Sequence, residues 1–217
     1  MFVSLIQTIR SQFGQPTQQQ ISADDTFYLK WSINPTEKLI RFELDVKTSG
    51  WVGIGISPTG KMLDADIYLG YVKKDGTVEL SDRIGIGHKL PVLDSTLGGT
   101  NDVVDVTGSI QNGRTSISFT RKLVTGDEYD LDINVGVAYN LIFAFRSEGN
   151  PETEGTYNYH TRRFSKQIIL YPIPSQSSAL LGLTDKYLIY DKGNHIIKQE
   201  NTGTSNPNIS DKISNIN

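Results

Sequence analysis

The sequence predicts an all-β protein, an antiparallel two-sheet β-sandwich with immunoglobulin-like architecture. Three observations carry that expectation. About ten short runs rich in β-branched and aromatic residues follow one another, with turn signals roughly every 8–12 residues. One of them, Leu39 to Lys47, alternates without a fault: Ile40, Phe42, Leu44 and Val46 fall on one face, Arg41, Glu43, Asp45 and Lys47 on the other. No stretch of the chain carries a convincing helical period.

Taken in order, residues 1–25 are polar and Gln-rich after a short amphipathic start, and read as an extension outside the sandwich. Phe27 to Ile33 is a first strand closed by Asn34-Pro35. Trp51 opens the most unusual stretch, WVGIGISPTGKMLDADIYLGY, which ends at Tyr71. Its first half alternates apolar residues with glycine, as in a strand packed too closely for side chains at every position. Ser57-Pro58-Thr59-Gly60 is a turn, and Ile67 to Val72 a second strand. Asp75-Gly76 and Asn112-Gly113 are hairpin signals, the first leading into Thr77–Asp82 and the second joining Val103–Ile110 to Thr115–Arg121. Pro91 keeps His88–Leu93 at an edge or in a loop. Tyr139–Phe145 and Phe164–Tyr171 complete the pattern. Beyond Pro172-Ile173-Pro174 the composition changes. Tyr187–Tyr190 and His195–Lys198 flank Asp191-Lys192-Gly193-Asn194 as a small hairpin, and the Asn/Ser-rich residues 201–217 read as disordered. The expected division is therefore 1–25, a sandwich over 26–173, and a C-terminal extension over 174–217.

Composition narrows the function. The 217 residues carry a formal net charge of −3 with no basic block, which argues against nucleic-acid binding. No cysteine is present, which removes disulfides, thiolate metal sites and cysteine nucleophiles. No apolar run is long enough to span a membrane, and Ser4, Gln7, Thr8 and Arg10 break the N-terminal apolar residues, so no clear signal peptide is read there. GxSxG, Walker and HExxH motifs are absent, as is a Ser-His-Asp trio, and no catalytic role is expected.

Trp31, then GWVGIGISPTGKMLDADIYLGYV, SDRIG, PVLD, FTRKLVTGDEYDLDI, LIFAF and YHTRRF, in that order, resemble a DOMON domain over roughly residues 27–172. The likeness is to the N-terminal DOMON module of dopamine β-monooxygenase-like copper enzymes, and also to the haem-binding cytochrome branch of the family. It implies a two-sheet sandwich that binds haem, a sugar or another small ligand, or that serves as an interaction module beside a redox partner, in an extracellular or lumenal setting. Only His88, His160 and His195 are available, too few for the copper sites of the full enzymes. The chain departs from the monooxygenase-like pattern at Gly126, where a cysteine is usual.

Two constellations follow from the resemblance. In the cytochrome branch a Met and a His ligate a b-type haem, and the matching positions here are Met62 and His160. Thioether sulfur and imidazole nitrogen are good iron ligands, and the pair raises the iron's potential. The bland alternative makes Met62 core packing and His160 a solvated loop residue. In the monooxygenase-like modules, Asp66, the carbonyls of Ile67 and Ser81, and Asp94 match a hard-cation site. All-oxygen ligation suits Ca²⁺, with Asp64 and Asp82 close enough in sequence to assist. The alternative pairs Asp66 with Arg83 or Lys61, or has it cap backbone amides. Arg121 is expected to tie down the acidic loop through Asp127 or Asp130. The leading expectation is a non-catalytic ligand-binding or interaction module. A b-type cytochrome is the second, and a carbohydrate-binding module, which would need exposed aromatics, the third.

Overall fold

A computed structural model describes residues 17–151, 155–173, 188–190 and 196–198. The first eleven strands are β1 Thr17–Gln20, β2 Phe27–Asn34, β3 Leu39–Val46, β4 Val52–Ser57, β5 Asp66–Val72, β6 Val78–Ile84, β7 Val92–Leu93, β8 Val104–Gln111, β9 Arg114–Lys122, β10 Ala138–Phe145 and β11 Arg162–Ile169. One short 3-10 turn, Asp94–Thr96, follows β7. The strands form two wholly antiparallel sheets. One runs β1-β2-β3-β9-β8, in which β1 is a short edge strand on a four-stranded body; the other runs β11-β10-β4-β5-β6-β7. This is the expected sandwich.

Residues 17–20, expected outside the sandwich with the rest of the N-terminal extension, pair with β2 from Thr17↔Trp31 to Gln20↔Tyr28. Alternation gives no signal in a run of Gln, but backbone pairing needs none. A separate unit begins at Pro174 and contains β12 Leu188–Tyr190 paired with β13 Ile196–Lys198, the expected satellite hairpin. The tail expected to be disordered, residues 201–217, lies outside the described residues.

The alternating faces set the core. Ile40, Phe42, Leu44 and Val46 of β3 are buried and meet Val52, Ile54 and Ile56 of β4, with Phe27, Phe119, Phe143 and Phe145 between the sheets. Phe27 meets Phe143 edge-on at 5.3 Å, a favoured aromatic geometry. The Trp31 indole donates to the Leu170 carbonyl at 2.8 Å. At the β8–β9 turn, Asn112 and Gly113 have φ of 51° and 73°, the left-handed pair a primed two-residue hairpin requires.

The six-stranded sheet is buried on both sides at its centre, for every residue of β4 and of β5 is buried. Its inner face belongs to the main core. Its outer face carries a second apolar cluster, Trp51, Ala65, Ile67, Leu69 and Tyr71, against which Leu90, Ile142, Ala144 and Tyr157 pack. A half-exposed sandwich sheet would not need that second cluster, and it marks where the candidate site lies.

Candidate functional site

Side chains of a strand alternate between faces, so β5 serves two environments at once. Ile67 and Leu69 point outward to the second cluster, while Asp66 and Tyr68 point inward. The two constellations expected from sequence therefore sit on opposite faces of one strand.

The outward face forms the floor of a cavity of about 700 Å³, inside the range of roughly 300–1,000 Å³ usual for small-molecule sites. Met62 and His160 both line it, and so does His88, which the sequence had not singled out. Trp51, Gly53, Gly55, Ile67, Leu69, Leu90, Ile142 and Ala144 make the lining predominantly apolar. The glycines of β4 matter differently from what the sequence suggests. A Cβ at Gly55 would lie 2.9 Å from Ile67 Cγ1 and 3.0 Å from Ile142 Cγ1, so there close packing does demand glycine. A Cβ at Gly53 would lie 3.3 Å from Leu69 Cδ1, the flexible end of a side chain, with Tyr68 O at 3.4 Å and Ala144 O at 3.9 Å in ordinary contact. Gly53 thus keeps the floor low for an occupant as much as for its neighbours.

Local bonds fix both candidate ligands. Met62 sits in the β4–β5 connection, where Ala65 N donates to Met62 O at 3.2 Å and Asp64 N to Gly85 O at 2.7 Å. Gly85 lies so close that a Cβ there would fall 1.6 Å from Met62 O, so only glycine permits this approach. His160 enters β11 beside the Thr161 N–H, which donates to Phe145 O at 2.9 Å. The loop before it is held by the Trp51 indole on Asn158 O at 3.0 Å and by Arg146 Nη1 on Tyr159 O, also at 3.0 Å. Tyr157 packs edge-on against Trp51 and Tyr71, beneath the Arg83 guanidinium at 5.1 Å. Arg83 in turn donates to Pro91 O at 2.8 Å. Burial, with Arg163 nearby, pulls the His160 pKa below its ordinary value. The imidazole is therefore neutral near pH 7, the form that binds a metal.

On the inner face, Asp66 does not pair with Arg83 or Lys61. Its Oδ2 accepts from Arg121 Nη1 at 2.7 Å and from the Leu131 N–H at 3.0 Å. Burial is the reason: Asp66 and Arg121 are fully shielded, whereas Lys61 is exposed and Arg83 serves the outer face. Arg121 does hold the acidic segment, through Leu131 O at 3.2 Å and Asp130 Oδ2 at 3.7 Å. Asp127 turns elsewhere and accepts from the Tyr129 N–H at 2.9 Å and the Thr100 N–H at 2.5 Å.

Carboxylate oxygens of Asp66, Asp82 and Asp130 lie within 4.8 Å of one another. Asp94 is also fully buried. Among the described residues, Asp66 Oδ1, Asp82 Oδ1 and both oxygens of Asp94 and of Asp130 accept no hydrogen bond. Burial, compounded by the neighbouring carboxylates, pushes Asp82 up to about 9, Asp94 up to about 7 and Asp130 up to about 6. Asp64 is exposed and outside this cluster. The side chain of Ile67 belongs to the cavity, and the Ser81 hydroxyl donates to Leu69 O and accepts from Arg83, so each has only its carbonyl for a cation. Asp130 and Arg121 were missed as parts of this group because 55 residues separate Arg121 from Asp66, and only the facing of the two sheets joins them.

The fold is thus a β-sandwich that carries a largely apolar cavity on the outer face of one sheet, a shape common to small-molecule sites. The model of the DOMON domain family matches residues 23–146, and the chain belongs to that family. It is 26% identical over 144 residues to the mouse (Mus musculus) DBH-like monooxygenase protein 2, covering 66% of this chain and 22% of the relative. To the human (Homo sapiens) DBH-like monooxygenase protein 1 it is 25% identical, covering 85% of this chain and 32% of the relative. To MOXD1 homolog 1 of Drosophila melanogaster it is 34% identical over 110 residues, or 50% of this chain and 16% of the relative. The chain thus spans about a third or less of the length of these relatives. Among solved structures it resembles the cytochrome domain of Myriococcum thermophilum cellobiose dehydrogenase, with a TM-score of 0.53 at 16% identity, covering 79% of this chain and 90% of that one. That likeness is one of fold.

Proposed function

We propose that this chain is a non-catalytic ligand-binding module whose outer-face cavity takes haem b between Met62 and His160. One observation carries the reading: the thioether and the imidazole, 98 positions apart in sequence, line the same apolar cavity. The donors suit the group, the floor is largely apolar with Gly53 and Gly55 in it, and the imidazole is neutral. The fold's similarity to a cytochrome domain supports the same reading. Haem bound there would supply one-electron chemistry, and a redox partner protein or domain would be its counterpart. This chain's own part is to bind the group on a low glycine floor, to ligate it at Met62 Sδ and His160, and to exclude water with Trp51, Leu69, Ile142 and Tyr157. Neither tryptophan offers a sugar-stacking face, since Trp31 is 4% and Trp51 6% exposed. Titration of the apo protein with hemin tests the reading. A Soret band that grows to saturation at one equivalent supports it, and an absorbance identical to hemin in buffer refutes it.

A second reading concerns the inner face, and the unbonded carboxylate oxygens favour it. Asp66, Asp82, Asp94 and Asp130 supply hard oxygen donors, and among the described ion pairs Arg121 is the cation that meets Asp66 and Asp130. A divalent cation such as Ca²⁺, with Ile67 and Ser81 adding carbonyls, would satisfy these groups and clamp β5, β6 and the segment following β9. Its role would be structural, holding one face of β5 while the other face holds the ligand.

A further inference from the structure

The charged side chains that line the cavity are Lys61, Lys89 and Arg163, and no Asp or Glu of the described residues joins them. All three are exposed, which puts them at the mouth above the apolar floor. They arrive from three separate segments: the β4–β5 connection, the β6–β7 connection and the edge strand β11. The ion pairs of the described residues involve none of them. A chain with a net charge of −3 thus gathers three cations at one opening, with no counter-charge among the ion pairs of the described residues.

We propose that Lys61, Lys89 and Arg163 form a carboxylate-binding rim, so that the cavity selects apolar acids: a hydrophobic body that lies on the glycine floor and carries carboxylates at one edge. Arg163 presents a planar fork suited to a carboxylate, while the two lysines act as mobile point charges. An uncharged apolar molecule would fill the floor and leave the rim unsatisfied. Ligand choice is then divided between the two levels of the site, with shape read below and charge at the mouth. This inference rests on the cavity being a ligand site, as proposed above, but not on iron ligation.

Iron-free protoporphyrin IX and its dimethyl ester separate the two questions, because both present the same ring and only the first presents carboxylates. Fluorescence titration of the wild-type protein should show the acid binding about five- to tenfold tighter, as expected for a few partly exposed charge pairs. That preference should shrink as salt is raised. The triple variant Lys61→Ala/Lys89→Ala/Arg163→Ala should bind acid and ester alike, with the wild-type affinity for the ester and an unchanged melting temperature. Equal affinity of the wild type for acid and ester would overturn the rim while leaving the cavity reading in place. Retention of the full preference by the triple variant would overturn the assignment to these residues. Failure of both compounds to bind would overturn the cavity reading itself.

Discussion

Arg121 Nη1 lies 2.7 Å from Asp66 Oδ2, with both side chains fully buried. Arg121 belongs to β9 of one sheet and Asp66 to β5 of the other, so this pair is a polar bolt through an apolar sandwich. Arg121 also donates to Leu131 O, and Leu131 N donates back to Asp66, which draws the acidic segment into the same knot.

Removing one partner of such a pair strands the other. Arg121→Met should lower the unfolding free energy by about 3–5 kcal/mol, since Asp66 and Asp130 then lose their contacting cation. The double variant Asp66→Asn/Arg121→Met should be less damaged than the sum of the two single variants. Urea denaturation of the four proteins measures both statements, and strict additivity would contradict the coupling.

The inner carboxylates give a pH dependence that a cation should erase. Ordinary aspartates titrate near 3.8, whereas here Asp130, Asp94 and Asp82 are pushed up to about 6, 7 and 9. The folded state therefore holds more protons than the unfolded one between about pH 4 and pH 9, and it loses stability as pH rises through that window. The lowered carboxyls of Asp24, Asp75 and Asp127 work the other way only below about pH 5, where their unfolded forms titrate. His160, lowered by burial, opposes the trend around its ordinary 6.5, so the comparison is best made in a His160→Ala background. In EDTA the melting temperature should fall from pH 5 to pH 8. Millimolar Ca²⁺ should raise it most at pH 8 by mass action. Superposable curves with EDTA and with Ca²⁺ would rule out the cation.

The two glycines of β4 should respond differently to substitution. Gly55→Ala forces a Cβ to within 2.9 Å of Ile67 and 3.0 Å of the Asp66 carbonyl, and should cost about 1–3 kcal/mol. At Gly53 an added Cβ meets only the flexible end of Leu69 closer than ordinary contact, at 3.3 Å, and Gly53→Val gains strand propensity, so the fold should survive with a raised floor. Calorimetry together with hemin titration separates the two. Gly53→Val is expected to keep its melting temperature and lose most of its hemin affinity. Unchanged hemin binding would place the ligand elsewhere.

Much of this architecture is legible in the residues because backbone alternation is a local signal. The β3 run from Leu39 to Val46 announces which face is buried, and Asn112-Gly113 announces a turn by its conformational needs. Met62, His160, Asp66 and Asp94 could be named because they fall within matched motifs. What could not be read depends on faces meeting across the sandwich. Nothing near Asp66 in sequence points to Arg121, and nothing near Met62 points to Lys89 or Arg163. The β1 pairing was hidden for a related reason, because a Gln run hydrogen-bonds through its backbone without a hydrophobic pattern.

Haem ligation by Met62 and His160, as proposed above, would take place in the cavity on the outer face of the six-stranded sheet. Optical and electron paramagnetic resonance spectra of the hemin-loaded wild type, Met62→Leu and His160→Ala proteins test it most directly. The wild type should give a six-coordinate, low-spin iron at one equivalent, with Met62→Leu shifting to five-coordinate or altered ligation and His160→Ala losing the low-spin signal. A low-spin spectrum unchanged by either substitution, or a wild type that takes up no hemin, would contradict the account.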